Sequence, residues 1–317
     1  MEKDSVKIVI GYQNQQNKTL QLCNQLYTIY REYKQNDDEQ LVFLAKMEVG
    51  DQSSCNKFYV IEMTTNHQKI HQKYNLLTKL QKIREMPQIY SYCSKIKCEA
   101  EQYPNFSDLE VSCIVYKYFQ GQQLHKSCFV ENKEIRNQII MFKMCTTFKN
   151  ILTSIQEIFN NGVVSFTLQT QNIILDHFGQ ISLIDFASAQ CVSLTENQEE
   201  NQAIQNQTFE ADDRKNIVKQ LGCIFFQVIM NRPIGDNIIE ELNLFYQECQ
   251  RFNVTKQTTL NQVINLISNM ITNNQMTLVE CIKHKAFDDI PLEQLDQIII
   301  GAEVSSGQDI KSDESNE

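Results

Sequence analysis

The stretch "QNIILDHFGQISLIDFASAQ", residues 171–190, decides the predicted fold of this chain. Two apolar runs flank the polar turn that begins at Asp176, a pattern that predicts a tight β-hairpin. The hairpin would bring Asn172 beside Asp185, which ends the second apolar run. Amide and carboxylate oxygens can hold a divalent cation, so this pair is a candidate metal site. The alternative is structural: Asn172 ties the loop together, and Asp185 accepts hydrogen bonds from nearby backbone.

The composition is that of an acidic globular protein. The 317 residues carry a formal net charge of −10, and 42% of them are hydrophobic, which is enough for a core. The negative balance argues against nucleic acid or an anionic membrane as the main partner. No run of about twenty apolar residues exists to span a bilayer. The first residues lack the apolar core of a signal peptide, so we expect a cytoplasmic protein.

The cysteines are expected to be reduced thiols. The chain has 11 of them, without a framework spacing and without an export signal. Cys93 and Cys98 form a CxxxxC spacing, but no second pair of this kind matches it. A metal site at these two residues is therefore disfavoured.

The predicted elements change from β-rich to helical along the chain. Five strands are predicted, at 22–34, 41–49, 58–64, 88–98 and 109–119, with one helix at 67–83. From about residue 134 the pattern is helical apart from the hairpin, and residues 216–231 are apolar nearly all round, which predicts a central buried helix. From Asp288 onward the chain is acidic and Ser-rich, which is typical of a mobile tail.

This order of elements resembles the eukaryotic protein-kinase fold. The strongest stretch is "NNGVVSFTLQTQNIILDHFGQISLIDFASA", residues 160–189, which is similar to the family's catalytic loop through Asp-Phe-Gly. Three weaker stretches occur in the family's order: "YFQGQQL" (118–124), "LGCIFFQVIMNRPI" (221–234) and "MTLVECIKHKAF" (276–287). The resemblance implies an α+β, bilobal, protein-kinase-like fold, with a small β-rich N-lobe carrying one helix and a larger, mainly helical C-lobe. It implies an N-terminal extension at 1–19, the N-lobe at 20–118, the C-lobe at 119–287 and the acidic tail at 288–317.

The resemblance also implies that the catalytic loop is degenerate. The family's His-Arg-Asp aligns with Ser165, Phe166 and Thr167, and a threonine hydroxyl cannot be an anionic base at neutral pH. The lysine that neutralises the transferring phosphate becomes Gln169. Phe166 is interpreted as a core residue.

The nucleotide site implied by the family is degenerate too. Glu62 stands where the phosphate-binding lysine belongs, and a carboxylate repels phosphate. No glycine lies between Gly11 and Gly50, so the glycine-rich phosphate loop is missing. Tyr116 is placed at the gatekeeper position, where its ring narrows the adenine pocket. We therefore expect no cofactor, or at most weak binding of ATP and magnesium through Asn172 and Asp185.

These replacements predict a pseudokinase, a domain that binds other proteins as a scaffold or allosteric regulator and does not transfer phosphate. Its partners would be proteins, with an active kinase or a cytoskeletal assembly among the candidates, and neither nucleic acid nor a membrane. Two alternatives stay open. The chain could be a divergent active Ser/Thr-type kinase with relocated catalytic groups, or a structural subunit of a large cytoplasmic assembly.

A further hypothesis concerns an ion pair of the predicted N-lobe, whose two charges would be reversed relative to active kinases. Active kinases pair the strand lysine with a glutamate on the single helix of that lobe. Here the strand residue is Glu62, and the apolar spacing of the helix places Lys73 opposite it. A slip of one helical turn would place Lys69 there instead, and both charges could also be solvated.

Overall fold

The structure is a computed structural model that describes most of the chain. The described residues are 7–13, 17–22, 25–34, 40–48, 57–100, 102–126, 138–176, 179–186, 189–191, 200–230, 232–251 and 257–288. The chain forms two compact units, the first from 1–124, 154–175 and 181–217, and the second from 125–153, 176–180 and 218–317. Apart from Asp288, the predicted tail lies outside the described residues.

The first unit is built on a closed β-barrel of seven strands. The strands are β1 (Lys7–Gln13), β2 (Asn17–Leu22), β3 (Gln25–Lys34), β4 (Gln40–Met47), β5 (Phe58–Thr64), β6 (Ile89–Glu99) and β7 (Glu110–Lys117). Their order around the barrel is β1-β2-β3-β4-β5-β7-β6. All neighbours are antiparallel except β6 and β1, which pair in parallel with Lys7 opposite Lys97.

Alternate side chains of these strands fill the barrel interior. Ile8 and Ile10 of β1 point inward, whereas Val9 between them points outward and is exposed. The same period of two recurs in β5, where Tyr59 and Ile61 belong to the core. The inward set is almost entirely apolar, so burial of this surface is the main force that holds the barrel together.

The predicted bilobal protein-kinase-like fold is wrong. That fold requires a five-stranded N-lobe sheet, whereas the structure has a closed, mixed barrel of seven strands. The two strands that the sequence analysis does not predict, β1 and β2, form a hairpin with its own inward apolar residues. Because β1 then pairs with β6, the sheet closes on itself and loses both edges. The individual strand predicted at 58–64 is confirmed as β5.

One helix packs on the outside of the barrel, against β6 and β7. This helix, α1, covers His67–Leu80, close to the prediction of 67–83. Asn66 caps its first turn, since the Asn66 side chain accepts a hydrogen bond of 3.0 Å from the backbone N–H of Lys69. Its buried residues, Ile70, Leu76, Leu77 and Leu80, form one apolar face that anchors it on the sheet.

The hairpin predicted from the opening stretch is present. It consists of β10 (Ile173–Leu175) and β11 (Ile181–Leu183), which pair antiparallel with Ile173 opposite Leu183. A short strand, β8 (Gln122–Gln123), joins β10 on its other side. Gly121 allows this approach, because a Cβ at this position would lie 2.6 Å from the Leu175 carbonyl oxygen. A second small sheet pairs β9 (Val163–Ser165) with β12 (Gln190–Cys191).

The remaining described elements are helices. They are α2 (Gln138–Asn160), α3 (Glu200–Met230), α4 (Ile238–Arg251), α5 (Gln257–Thr272) and α6 (Leu278–Ile282). In the second unit the rings of Phe148 and Phe225 stack with their centroids 3.8 Å apart. The buried helix predicted at 216–231 is confirmed as the end of α3. None of the helices formed by the described residues combines the length and apolar character needed to cross a bilayer.

Candidate functional site

A buried carboxylate lies between α1 and the barrel wall. Because Ile61 and Met63 of β5 point into the barrel, Glu62 between them points outward. Glu62 is nevertheless buried, since α1 covers this part of the outer surface. A buried charge of this kind is stable only when other groups neutralise it and satisfy its oxygens.

Lys73 of α1 supplies the opposite charge. It is placed three residues after Ile70 and four before Leu77, on the helix face that packs against the sheet. The start of the helix is fixed to β7 by the 2.8 Å contact between His67 Nδ1 and Ser112 Oγ. Lys73 Nζ lies 2.6 Å from Glu62 Oε2, whereas Lys69 is exposed. The predicted Glu62–Lys73 pair is therefore confirmed.

Two further donors complete the surroundings of Glu62. The Tyr116 hydroxyl on β7 donates to Oε2 at 2.7 Å, and the Gln40 side-chain amide on β4 donates to Oε1 at 2.7 Å. Burial raises the pKa of the Tyr116 phenol well above its usual value, and the charges of Glu62 and Asp185 raise it further. Tyr116 therefore remains a protonated donor at neutral pH. Gln40 carries no signal of this role in the sequence, because it ends a polar stretch that indicates only a turn.

These contacts make the Glu62 cluster (Glu62, Lys73, Tyr116 and Gln40) a closed, neutral arrangement. The carboxylate accepts three hydrogen bonds, and the only lysine in the cluster is already paired with it. A lysine that is already paired with a carboxylate is a poor ligand for a phosphate group, and the oxygens of this carboxylate are occupied by donors. The geometry favours a structural role for this cluster, which fixes α1 to the barrel.

Asn172 and Asp185 are brought together as predicted from the hairpin. Asn172 Nδ2 lies 3.4 Å from Asp185 Oδ2, and the backbone N–H of Ile184 donates to the Asn172 carbonyl at 2.8 Å. Asp185 has a φ of 67°, a left-handed conformation that aspartate adopts more readily than most residues. The bond from Ile184 to the Asn172 carbonyl ties the loop together, whereas this contact to Asp185 comes from a side chain and not from the backbone. The cation site stays a prediction, and the described residues contain no group of three or more His, Cys, Asp or Glu side chains that could hold a metal.

The positions aligned with the family's catalytic loop lie in β9 and just after it. Phe166 is buried, and its ring packs between Phe159, at 5.8 Å, and Phe186, at 5.5 Å, so it serves as a core residue. Ser165 ends β9 and is partly buried. Thr167 and Gln169 are exposed.

A second feature, absent from the sequence analysis, is an aromatic surface on the outside of β3 and β5. The ring of Tyr30, which is 60% exposed, contacts the ring of Phe58 edge to face at 5.1 Å. Phe58 contacts the ring of Tyr118 at 6.4 Å in the same manner. Tyr33, on the outer face of β3, extends the same surface. We call Tyr30, Tyr33, Phe58 and Tyr118 the aromatic face.

Basic side chains accompany the aromatic face. The Arg31 guanidinium lies over the Tyr33 ring, 5.1 Å from its centroid. Lys46 of β4 lies directly opposite Phe58 in the strand register, so the two side chains share one side of the sheet. Among the residues that the structure describes here, one acid is close: Glu48 accepts a hydrogen bond from Thr28, which is the register partner of Lys46 on β3.

No protein-family model matches the sequence, and no similar protein is found among curated proteins. The resemblance to protein kinases therefore has no support from family models. The prediction of a protein kinase-like domain is wrong, because the described strands form a closed barrel.

Proposed function

We propose that this chain is a non-catalytic protein-binding module that docks an acidic segment of a partner protein on the aromatic face. The observation that carries the proposal is the chain of contacting rings from the exposed Tyr30 through the half-buried Phe58 to the exposed Tyr118, beside Arg31. Protein interfaces are enriched in tyrosine, phenylalanine and arginine, and their binding energy is concentrated in such residues. Single exposed hydrophobic residues are ordinary, but rings in contact form an apolar patch that association would bury.

The closed barrel supports docking through side chains. A partner strand could extend a sheet only at a free edge, and the seven described strands of the barrel are all paired on both sides. The partner must therefore recognise ring faces and the charges around them. Arg31 and Lys46 favour carboxylates at the rim of such a segment, which would also counter the repulsion between an acidic partner and this acidic chain.

The Glu62 cluster supports a function without catalysis. Its lysine and carboxylate neutralise each other beneath α1, and the exposed Thr167 and Gln169 carry no charge. The proposal keeps the predicted protein partners and discards the kinase framework. Cytoplasmic location stays a prediction.

Selection of peptides on the folded chain tests the proposal. We expect a displayed random-peptide library to enrich sequences that combine aspartate or glutamate with an apolar anchor. Binding of the enriched peptides should weaken about 30-fold with Tyr30→Ala, because truncating a central aromatic residue typically costs about 2 kcal/mol. Arg31→Glu should weaken binding too, and added salt should reduce the affinity of the unchanged chain. Peptide affinity is measured by fluorescence polarisation.

The matched control is Tyr246→Ala. Tyr246 is another exposed tyrosine, on α4 of the second unit, and its loss should leave affinity unchanged. Equal affinity of the Tyr30→Ala and Tyr246→Ala variants would show that the aromatic face is not the site. Enrichment of basic peptides, or of none, would overturn the proposed partner chemistry.

Nucleotide is expected to leave the thermal stability of the chain unchanged. The reason is the engagement of Lys73 by Glu62, which leaves the cluster without a free cation for phosphate. A ligand at a hundredfold excess over its Kd stabilises a fold by about 2.7 kcal/mol, which a thermal-shift titration with ATP and magnesium would detect. A saturable shift that Asp185→Ala abolishes would instead support a nucleotide site.

A further inference from the structure

Two cysteines lie directly opposite each other on neighbouring strands of the barrel. Cys93 of β6 is the register partner of Cys113 of β7. Both are reduced in the structure, and no disulfide joins them. Cys113 is fully buried in the barrel core, and Cys93 packs against the same core while remaining partly exposed.

The strand register brings these thiols within bonding range. Directly opposed residues of antiparallel strands have Cα atoms about 4.5–5.5 Å apart, inside the range of about 4.4–6.8 Å found for disulfides. Their Cβ atoms need to approach by roughly 1 Å for ideal disulfide geometry. A bulge in the register between Cys93 and Ile96 gives β6 local freedom for such a shift.

We propose that Cys93 and Cys113 form a thiol–disulfide exchange site for small disulfides of the glutathione class. Cys93, the accessible thiol, attacks one sulfur of oxidised glutathione as the thiolate, and one reduced glutathione leaves. The Cys113 sulfur then attacks the Cys93 sulfur of this mixed disulfide, and the second glutathione leaves as a thiol. The protons of the two cysteines end on the two released glutathiones. One disulfide is consumed and one is formed, linking β6 to β7.

Cys98 provides an internal comparison on the same strand. It also belongs to the barrel core, but its register partner is Ile8 of β1. Burial raises the pKa of the Cys98 thiol to about 11, with a further contribution from the charge of Glu99. Cys98 is therefore expected to stay reduced when Cys93 and Cys113 react.

Peptide mapping of the native chain tests the exchange site. The chain is treated with oxidised glutathione, remaining thiols are blocked with N-ethylmaleimide, and the linked peptides are identified by mass spectrometry. Trypsin alone leaves Cys98 and Cys113 in one peptide, residues 98–117, so a glutamate-specific protease is added to cleave at Glu99 and Glu110. We expect a peptide pair joined through Cys93 and Cys113 that dithiothreitol separates.

Three variants test which cysteines form the link. Cys98→Ser should still form the link, Cys93→Ser should lose it, and Cys113→Ser should stop with glutathione attached to Cys93. In the unchanged chain, glutathione that persists on Cys93 without a link to Cys113 would overturn the proposal, and this readout does not depend on any variant folding. A link that forms only after urea denaturation, or in equal yield with Cys98, would overturn it as well.

Discussion

Replacement of Lys73 with methionine is expected to lower the free energy of unfolding of the barrel unit by about 3–5 kcal/mol, the usual cost of removing one partner from a buried ion pair. The side chains of Lys73 and Glu62 are 16% and 8% exposed, so water cannot replace the lost ammonium. The Glu62 carboxylate would keep its bonds to Tyr116 and Gln40 but would have no positive charge beside it. Hydrogen exchange in β5 and α1, followed by mass spectrometry at increasing urea, measures the loss.

The matched control for this variant is Lys97→Met. Lys97 pairs with Asp108 at 3.1 Å on the surface, where the two side chains are 54% and 77% exposed. Water solvates both groups, so the change should stay within about 0.5 kcal/mol. Adding Glu62→Gln to Lys73→Met should recover part of the lost stability, because the uncompensated charge is removed. Equal effects of Lys73→Met and Lys97→Met would contradict a buried pair.

Replacement of Ile8 with alanine is expected to destabilise the barrel unit by about 2–5 kcal/mol, the cost of a large-to-small change in a packed core. Ile8 is fully buried inside the barrel, directly opposite Cys98 of β6. Its loss should also increase hydrogen exchange in β6, since β1 closes the barrel against that strand. Urea denaturation measures the stability, and hydrogen exchange of β6 peptides measures the closure.

Val9→Ala is the adjacent control. Val9 is 36% exposed on the outer surface of the same strand, so its truncation should cost well under 1 kcal/mol. If Ile8→Ala and Val9→Ala lowered the free energy of unfolding by the same amount, β1 would not contribute one face to the core. The five-stranded sheet expected from the sequence would then describe the first unit better than a closed barrel.

Local sequence patterns correctly predict those parts of the fold that depend on residues close to each other in the chain. The hairpin that joins Asn172 to Asp185 follows from two apolar runs around a polar turn, and it is present. The pairing of Glu62 with Lys73 is inferred from the kinase resemblance together with the apolar spacing of α1, and it is present at 2.6 Å although the family's fold is absent. Residues close in sequence determine only the part of this prediction that puts Lys73 on the packed face of α1.

Barrel closure could not be predicted in the same way. The parallel contact that puts Ile8 opposite Cys98 joins residues far apart in sequence, and neither strand carries a local signal of its partner. Kinase-like stretches later in the chain then favoured a family whose small lobe has five strands. The aromatic face escaped prediction because tyrosine and phenylalanine are common in strands, and the sequence does not tell which of them are left uncovered. The register shift between Ile29 and Arg31, seen in the structure, leaves both Tyr30 and Tyr33 on the outer side of β3.

The parallel pairing of β1 with β6 also sets the timing of folding on the ribosome. Lys7 cannot meet Lys97 until the whole of β6 has left the exit tunnel, which at about 5–20 residues per second takes on the order of ten seconds after β1 has been made. During this interval the apolar side of β1, with Ile8 and Ile10, has no partner strand across the future seam. Contacts between residues so distant in sequence also slow the folding of the released chain. We therefore expect the nascent β1–β2 hairpin to be prone to aggregation until β6 emerges.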